Sequence, residues 1–325
     1  MSKRKKIFLI SAICLTGFIF SAVMIYYFGA TYKEFDLLAK KEFSIPGLET
    51  TFVPQGMTYL ENDGDFLIAG YMSDGSASRI YVVDKESGEI EKFVTLKNGE
   101  SDYTGHAGGI TDYNDNIYLV GDKLLVRFSL SALKSCDNGA SVNIIDSLET
   151  GNGCDFVLVD GGNLIVGEFY KKDKYDTPES HHIKTSKGTN YALSYIYRLD
   201  DSKQYGLEST TPICALSMPN QVQGMTFNKD GKIILSTSYS ISSSIIYKYE
   251  NVFEDSKDGE VVINNQNVNL YILDEEDLIT TLSAPSMSEE IELVDDRVYV
   301  LFESNCKKYR LVNRTRIKNV FSLEI

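Results

Sequence analysis

Val53-Pro54-Gln55-Gly56-Met57-Thr58-Tyr59 recurs later in the chain as Val222-Gln223-Gly224-Met225-Thr226-Phe227. Each copy runs into a turn, ENDGD at residues 61–65 and NKDGK at 228–232, and then into an apolar run at 66–71 and 233–238. Two apolar runs joined by Asn, Asp and Gly are the sequence form of a β-hairpin. Three further segments follow the same plan. GGITD at 108–112 leads to 117–121, CDFVLV at 154–159 to 164–168, and EEIELV at 289–294 to 298–303. The unit therefore starts near residues 53, 106, 153, 222 and 288.

A third short strand follows in every unit, at residues 81–83, 126–128, 197–199, 247–249 and 309–311. A fourth follows a further turn, as at 91–96 and 320–325. Four antiparallel strands repeated about every 50 residues mark an all-β fold, a β-propeller, here with five blades. The segment Lys41-Glu42-Phe43-Ser44-Ile45 resembles a fourth strand and is expected to join the last blade and close the ring. The alternative is six blades, with residues 254–285 holding an extra hairpin or a degenerate blade.

Ahead of the repeats, residues 7–28 form a 22-residue run without a formal charge, preceded by Lys3, Arg4, Lys5 and Lys6. About 20 apolar residues span a bilayer core of ~30 Å, so this reads as an uncleaved transmembrane signal-anchor helix. The basic cluster should stay cytoplasmic, placing the propeller outside. The chain divides accordingly into a basic segment (1–6), the anchor (7–28), a linker (29–40) and the propeller (41–325).

The whole chain has 325 residues and a net charge of −14. An acidic exterior is expected to repel anionic headgroups and argues against nucleic acid, which calls for clustered Lys and Arg. Four cysteines lie beyond the anchor, Cys136, Cys154, Cys214 and Cys306, with no CxxC spacing. Disulfides and isolated buried thiols both fit them.

In a propeller, the loops entering first strands and those joining second to third strands share one face. Gln55, His106, Asp155, Gln223 and Glu289/Glu290 are therefore expected to ring the axis. Asp122, Glu168, Tyr239, Glu303 and the long insertion at 171–194, with His181 and His182, come around them. These residues suggest a polar funnel for an unidentified small molecule or a surface partner. Asp155 and Glu290 are candidate ligands for Ca²⁺, which takes hard oxygen donors. Ring polars that simply bond backbone and water are the competing reading.

The motifs Pro54-Gln55-Gly56-Met57, Gly75-Ser76-Ala77-Ser78-Arg79, Asp84-Lys85-Glu86-Ser87-Gly88, Gly109-Ile110-Thr111 and Glu289-Glu290-Ile291-Glu292 occur in that order. In this the chain resembles the glutamine cyclotransferase family, five-bladed propellers that cyclise N-terminal glutamine. The resemblance implies the architecture. It implies the activity less, because that family builds its pocket from tryptophans and this chain has none. A carboxylate expected on the second strand falls at Ile68 or Ala69, and Gly108 stands where an acidic residue precedes the Gly-Ile-Thr motif. Cyclisation needs a positioned acid or base. The QGM, GHAGG and VQGM motifs are also similar to those of uncharacterised exported, membrane-anchored propellers of Gram-positive bacteria. Two function classes follow: a tethered ligand- or partner-binding ectodomain, and an enzyme. The enzyme would be a metal-assisted hydrolase or lactonase, or a degenerate cyclotransferase-like protein.

Overall fold

Alternation within single strands organises the molecule. On the second strand of the first unit, Phe66 and Ile68 pack with the last unit, while Leu67 and Ala69 pack with the second. Its neighbour repeats the split, with Tyr81 and Val83 on one side and Ile80 and Val82 on the other. Successive side chains of a strand point to opposite faces, so an almost wholly apolar strand needs a sheet against both. A ring of sheets satisfies every unit at once.

The computed structural model describes residues 31–150 and 153–325, together with 11, 14–18 and 21. Five four-stranded antiparallel units occupy the described residues. The first runs Phe52–Leu60, Asp65–Met72, Arg79–Asp84 and Ile90–Asn98. The second is Gly109–Tyr113, Asn116–Gly121, Leu124–Ser129 and Ser141–Glu149. The third is Phe156–Asp160, Asn163–Gly167, Ala192–Arg198 and Cys214–Met218. The fourth is Val222–Phe227, Ile233–Thr237, Ser244–Tyr249 and Leu278–Ala284. The fifth comprises Ser288–Val294, Arg297–Phe302 and Asn319–Leu323, completed by Ala39–Ser44 from the other end of the chain. The first strands of successive units lie side by side, and that of the fifth returns to that of the first.

The expected closure through residues 41–45 is therefore present. Just before it, helix α1 (Lys33–Leu38), within the stretch read as linker, buries Phe35 against Phe302 and Phe321, with ring centroids 6.1 and 5.7 Å away. One strand assignment is corrected. Residues 309–311 are not the third strand of the fifth unit, because the N–H groups of Tyr309 and Arg310 fold back onto the Cys306 carbonyl in tight turns. The third strand is Asn319–Leu323, and the fourth comes from Ala39–Ser44.

Residues 254–285 do contain an extra hairpin, Gly259–Ile263 with Gln266–Ile272. It pairs in parallel with Cys214–Met218 and so extends the third unit outward. The free thiols of Cys154 and Cys306 are buried, and Cys136 and Cys214 are also unpaired. The basic cluster and most of the run at 7–28 lie outside the described residues. Among those described, no helix is long and apolar enough to cross a membrane.

Candidate functional site

Backbone crowding at the axis explains the glycines of the repeated motif. A Cβ on Gly56 would sit 2.9 Å from the backbone of Gly109, and one on Gly224 would sit 2.7 Å from Glu290 Cα. Glycine permits that approach. The first strand also breaks register between Pro54 and Gly56, and the fourth unit's between Val222 and Gly224. Such bulges re-aim side chains and free backbone groups.

Backbone N–H groups on the inner edges of three first strands converge on one carboxylate. Glu290 Oε2 accepts the N–H groups of Met57 at 3.0 Å and Ile110 at 2.8 Å, and Oε1 accepts that of Val157 at 3.3 Å. Three units are thus pinned by a side chain of a fourth. Burial pushes the Glu290 carboxyl well up, and the three N–H donors oppose that push.

On one side of this pin opens an axial cavity of about 780 Å³. Gln55, His106, Asp155 and Gln223 line it, as the sequence suggests. Glu303 lies in its floor, where it accepts a 2.9 Å hydrogen bond from Gln55 Nε2. Glu289, buried behind, is hydrogen-bonded to Glu303. Burial and then the charge of Glu303 push the Glu289 carboxyl well up. Burial raises Glu303 to about 7, against the lowering pull of Gln55 and Lys308. Asp155 is likewise raised to about 7 by burial, although Phe169 N–H bonds its Oδ2 at 3.0 Å.

His106 stacks on Tyr71, with centroids 4.9 Å apart, and burial lowers its pKa. The upper wall is aromatic, with Tyr71, Phe169, Tyr175, Tyr239 and Tyr309. The protein's own ammonium groups already sit on it. Lys171 Nζ lies 4.7 Å from the Tyr239 centroid, and Lys308 Nζ lies 4.9 Å from those of both Tyr71 and Tyr309. Lys174 Nζ is 5.4 Å from those of Tyr175 and Tyr239.

The structure does not bring every expected residue to this cavity. Glu168 is fully buried, takes hydrogen bonds from Tyr195 Oη at 2.6 Å and Leu193 N–H at 3.0 Å, and meets His181 Nδ1 at 3.0 Å. Together they fasten the insertion at 171–194 to the third unit. Glu289 and Glu290 likewise lie behind the cavity wall. Glu290 spends both oxygens on backbone donors, so it does not join Asp155 around a cation. Among the described residues, no three His, Cys, Asp or Glu side chains group as a metal site.

Of the aromatic wall, the sequence points to Tyr239 and to the insertion that holds Tyr175, but not to Tyr71, Phe169 or Tyr309. Tyr71 was absorbed into a strand and Tyr309 was assigned to another. The usable signal was positional, since the second strand of each unit ends at the cavity, and residues 71, 122, 169, 239 and 303 stand at or just past those ends.

No protein-family model and no curated protein matches the chain. Among solved structures, the chain is similar to the PQQ-bound aldose sugar dehydrogenase of Streptomyces coelicolor, at 12% identity and a TM-score of 0.50. That match covers 88% of this chain and 97% of the other. A glucose dehydrogenase-type oxidoreductase of Thermus thermophilus aligns at 12% identity and a TM-score of 0.45, over 88% and 99% of the two chains. At this identity the likeness establishes a β-propeller fold, and it speaks to neither of the family resemblances read from the motifs.

Proposed function

We propose that the protein is a membrane-tethered, five-bladed β-propeller that binds a small amine-bearing ligand in its axial cavity. The observation that carries this reading is the cavity itself, with Asp155 and Glu303 at its base beneath tyrosines that already hold lysine ammonium groups. Asp122, Asp155, Asp176 and Glu303 line it with Lys123 and Lys174, and Lys171 and Lys308 stand on its tyrosines, so four carboxylates meet four ammonium groups there. A cation over an aromatic face gains ~0.5–2 kcal/mol, and more when water is excluded. A ligand ammonium would also give the buried Asp155 carboxyl a counter-charge.

An enzyme reading has one observation in its favour. Glu303 at the cavity floor is hydrogen-bonded to a second buried carboxyl, Glu289, both raised in pKa, and perturbed carboxyls in a cleft are a signature of acid–base sites. A Ca²⁺-assisted hydrolase or lactonase draws less support, because Glu290 is taken up by backbone N–H groups. At 12% identity the likeness to the Streptomyces enzyme shows the fold alone, so neither PQQ nor sugar oxidation is carried over. The tether rests on the apolar run at 7–28 and the basic residues before it. Thermal-shift titration with choline, putrescine and glucosamine, against glucose and acetate, tests the binding reading. Stabilisation by the amines alone supports it, and stabilisation by acetate alone overturns it.

A further inference from the structure

The loop between the second and third strands of the fifth unit, residues 303–318, is unlike the rest of this acidic chain. After Glu303 it carries Lys307, Lys308, Arg310, Arg314, Arg316 and Lys318 with no further carboxylate. At its tip Leu311 is 79% and Val312 is 56% exposed. Glu303, Tyr309 and Val312 of this loop line the axial cavity, so the loop belongs to the cavity face. Ile241, 39% exposed, lies on the same rim. The turns on the opposite face carry Glu61, Asp63, Asp115, Asp295 and Asp296. The fifth unit is therefore polarised, with a basic loop tipped by two apolar residues on the cavity face and Asp295 and Asp296 in its turn at the other end.

The chain also enters on the basic side. Tyr32 Oη bonds Ser243 Oγ at 3.0 Å and accepts from Arg314 Nη2 at 2.9 Å. Ser243 belongs to the loop between the second and third strands of the fourth unit, whose Tyr239 and Ile241 line the cavity. From Tyr32, α1 descends toward the far face, where Arg297 bonds the Leu38 carbonyl. Four residue steps separate Tyr32 from Phe28, the end of the run read as the anchor. At ~3.3–3.6 Å per residue they reach roughly 14 Å at most.

We propose that the cavity face docks on the bilayer, with Leu311 and Val312 in the interface and the flanking Lys and Arg on anionic headgroups, so that the axial cavity opens toward the membrane. The proposal rests on the anchor reading for its geometry and on the loop for its chemistry. Basic residues near an anionic surface attract it within about a Debye length, ~8–10 Å, and a short apolar tip adds burial at the headgroup level.

The chain has no tryptophan, so Leu311→Trp and Asp63→Trp each install a single reporter on opposite rims. The full chain is reconstituted in phosphatidylcholine–phosphatidylglycerol vesicles with brominated acyl chains. Strong quenching at position 311 and none at 63 is expected. A co-floating protein with 311 unquenched, or with 63 quenched, overturns the orientation. Failure to co-float removes the anchor reading, and the surface is then decided by residues 31–325, which close their own ring. That fragment should sediment with phosphatidylglycerol vesicles and not with phosphatidylcholine. The triple variant Lys307→Gln, Arg316→Gln, Lys318→Gln should weaken binding by about fivefold per charge removed. Indifference to lipid charge or to these substitutions overturns the docking surface.

Discussion

Gln55 Nε2 donates to Glu303 Oε2 across 2.9 Å, joining the first strand of the first unit to the end of the second strand of the fifth. The contact puts a fixed amide donor beside a carboxyl that is also hydrogen-bonded to the buried Glu289. It also leaves the rest of Glu303 facing the cavity. Gln55→Ala should therefore raise the Glu303 pKa further, as its hydrogen bond is one of the lowering influences. Carboxyl titration of Glu303 by carbon-13 NMR checks this, and an unchanged or lowered midpoint speaks against the arrangement.

Stability should depend on pH through the same floor. The folded pKa of Asp155 is raised to about 7 from 3.8, and that of Glu303 to about 7 from 4.5. The folded state then holds protons more tightly than the unfolded chain, so this stability is complete below about pH 4 and is lost as pH rises through about 7. Asp155→Asn keeps an acceptor for Phe169 N–H and should flatten the decline between pH 5 and 8 by about 2 kcal/mol. Urea unfolding across that range measures it.

Glu290→Ala should be among the most destabilising single changes. It orphans the N–H groups of Met57, Ile110 and Val157 at the axis, each costing ~1–3 kcal/mol, so a loss of roughly 3–5 kcal/mol is expected. Glu290→Gln keeps an acceptor oxygen and should cost less. A loss below 1 kcal/mol for the alanine variant would mean that water replaces the carboxylate.

His181→Ala should loosen the insertion at 171–194 with little effect on the ring. Glu168 and Tyr195 hold His181 from the third unit, so limited proteolysis should move into the insertion while the thermal transition shifts modestly. Unchanged cleavage would show that the aromatic stack of Tyr170 and Tyr191, 4.7 Å between centroids, suffices to hold it.

The repeated hairpins made the architecture legible, because a strand buried on both faces must be continuously apolar and its turns must be Gly- and Asp-rich. The ring closure was legible in Lys41 to Ile45 because that segment resembles the half-exposed fourth strand of a unit. Glu290 was misread as a ligand because carboxylates at an axis look alike in sequence whether they meet a cation or backbone N–H groups. What separates them is that the inner-edge N–H groups of Met57, Ile110 and Val157 already fill both oxygens of Glu290. Tyr309 was misread because Tyr-Arg-Leu fits a half-buried strand as well as it fits a turn. The basic loop vanished into a net charge of −14, since a sum over the chain carries no direction.

The amine-binding account is tested most directly by titrating choline, putrescine and glucosamine into the wild type and a Gln55→Ala, Asp155→Asn, Glu303→Gln variant, following unfolding temperature at pH 8. The account predicts stabilisation of the wild type by at least one amine, weakening toward pH 5 as both carboxyls protonate, and none in the variant. Stabilisation that persists in the variant, or a wild type indifferent to all three amines, would contradict it.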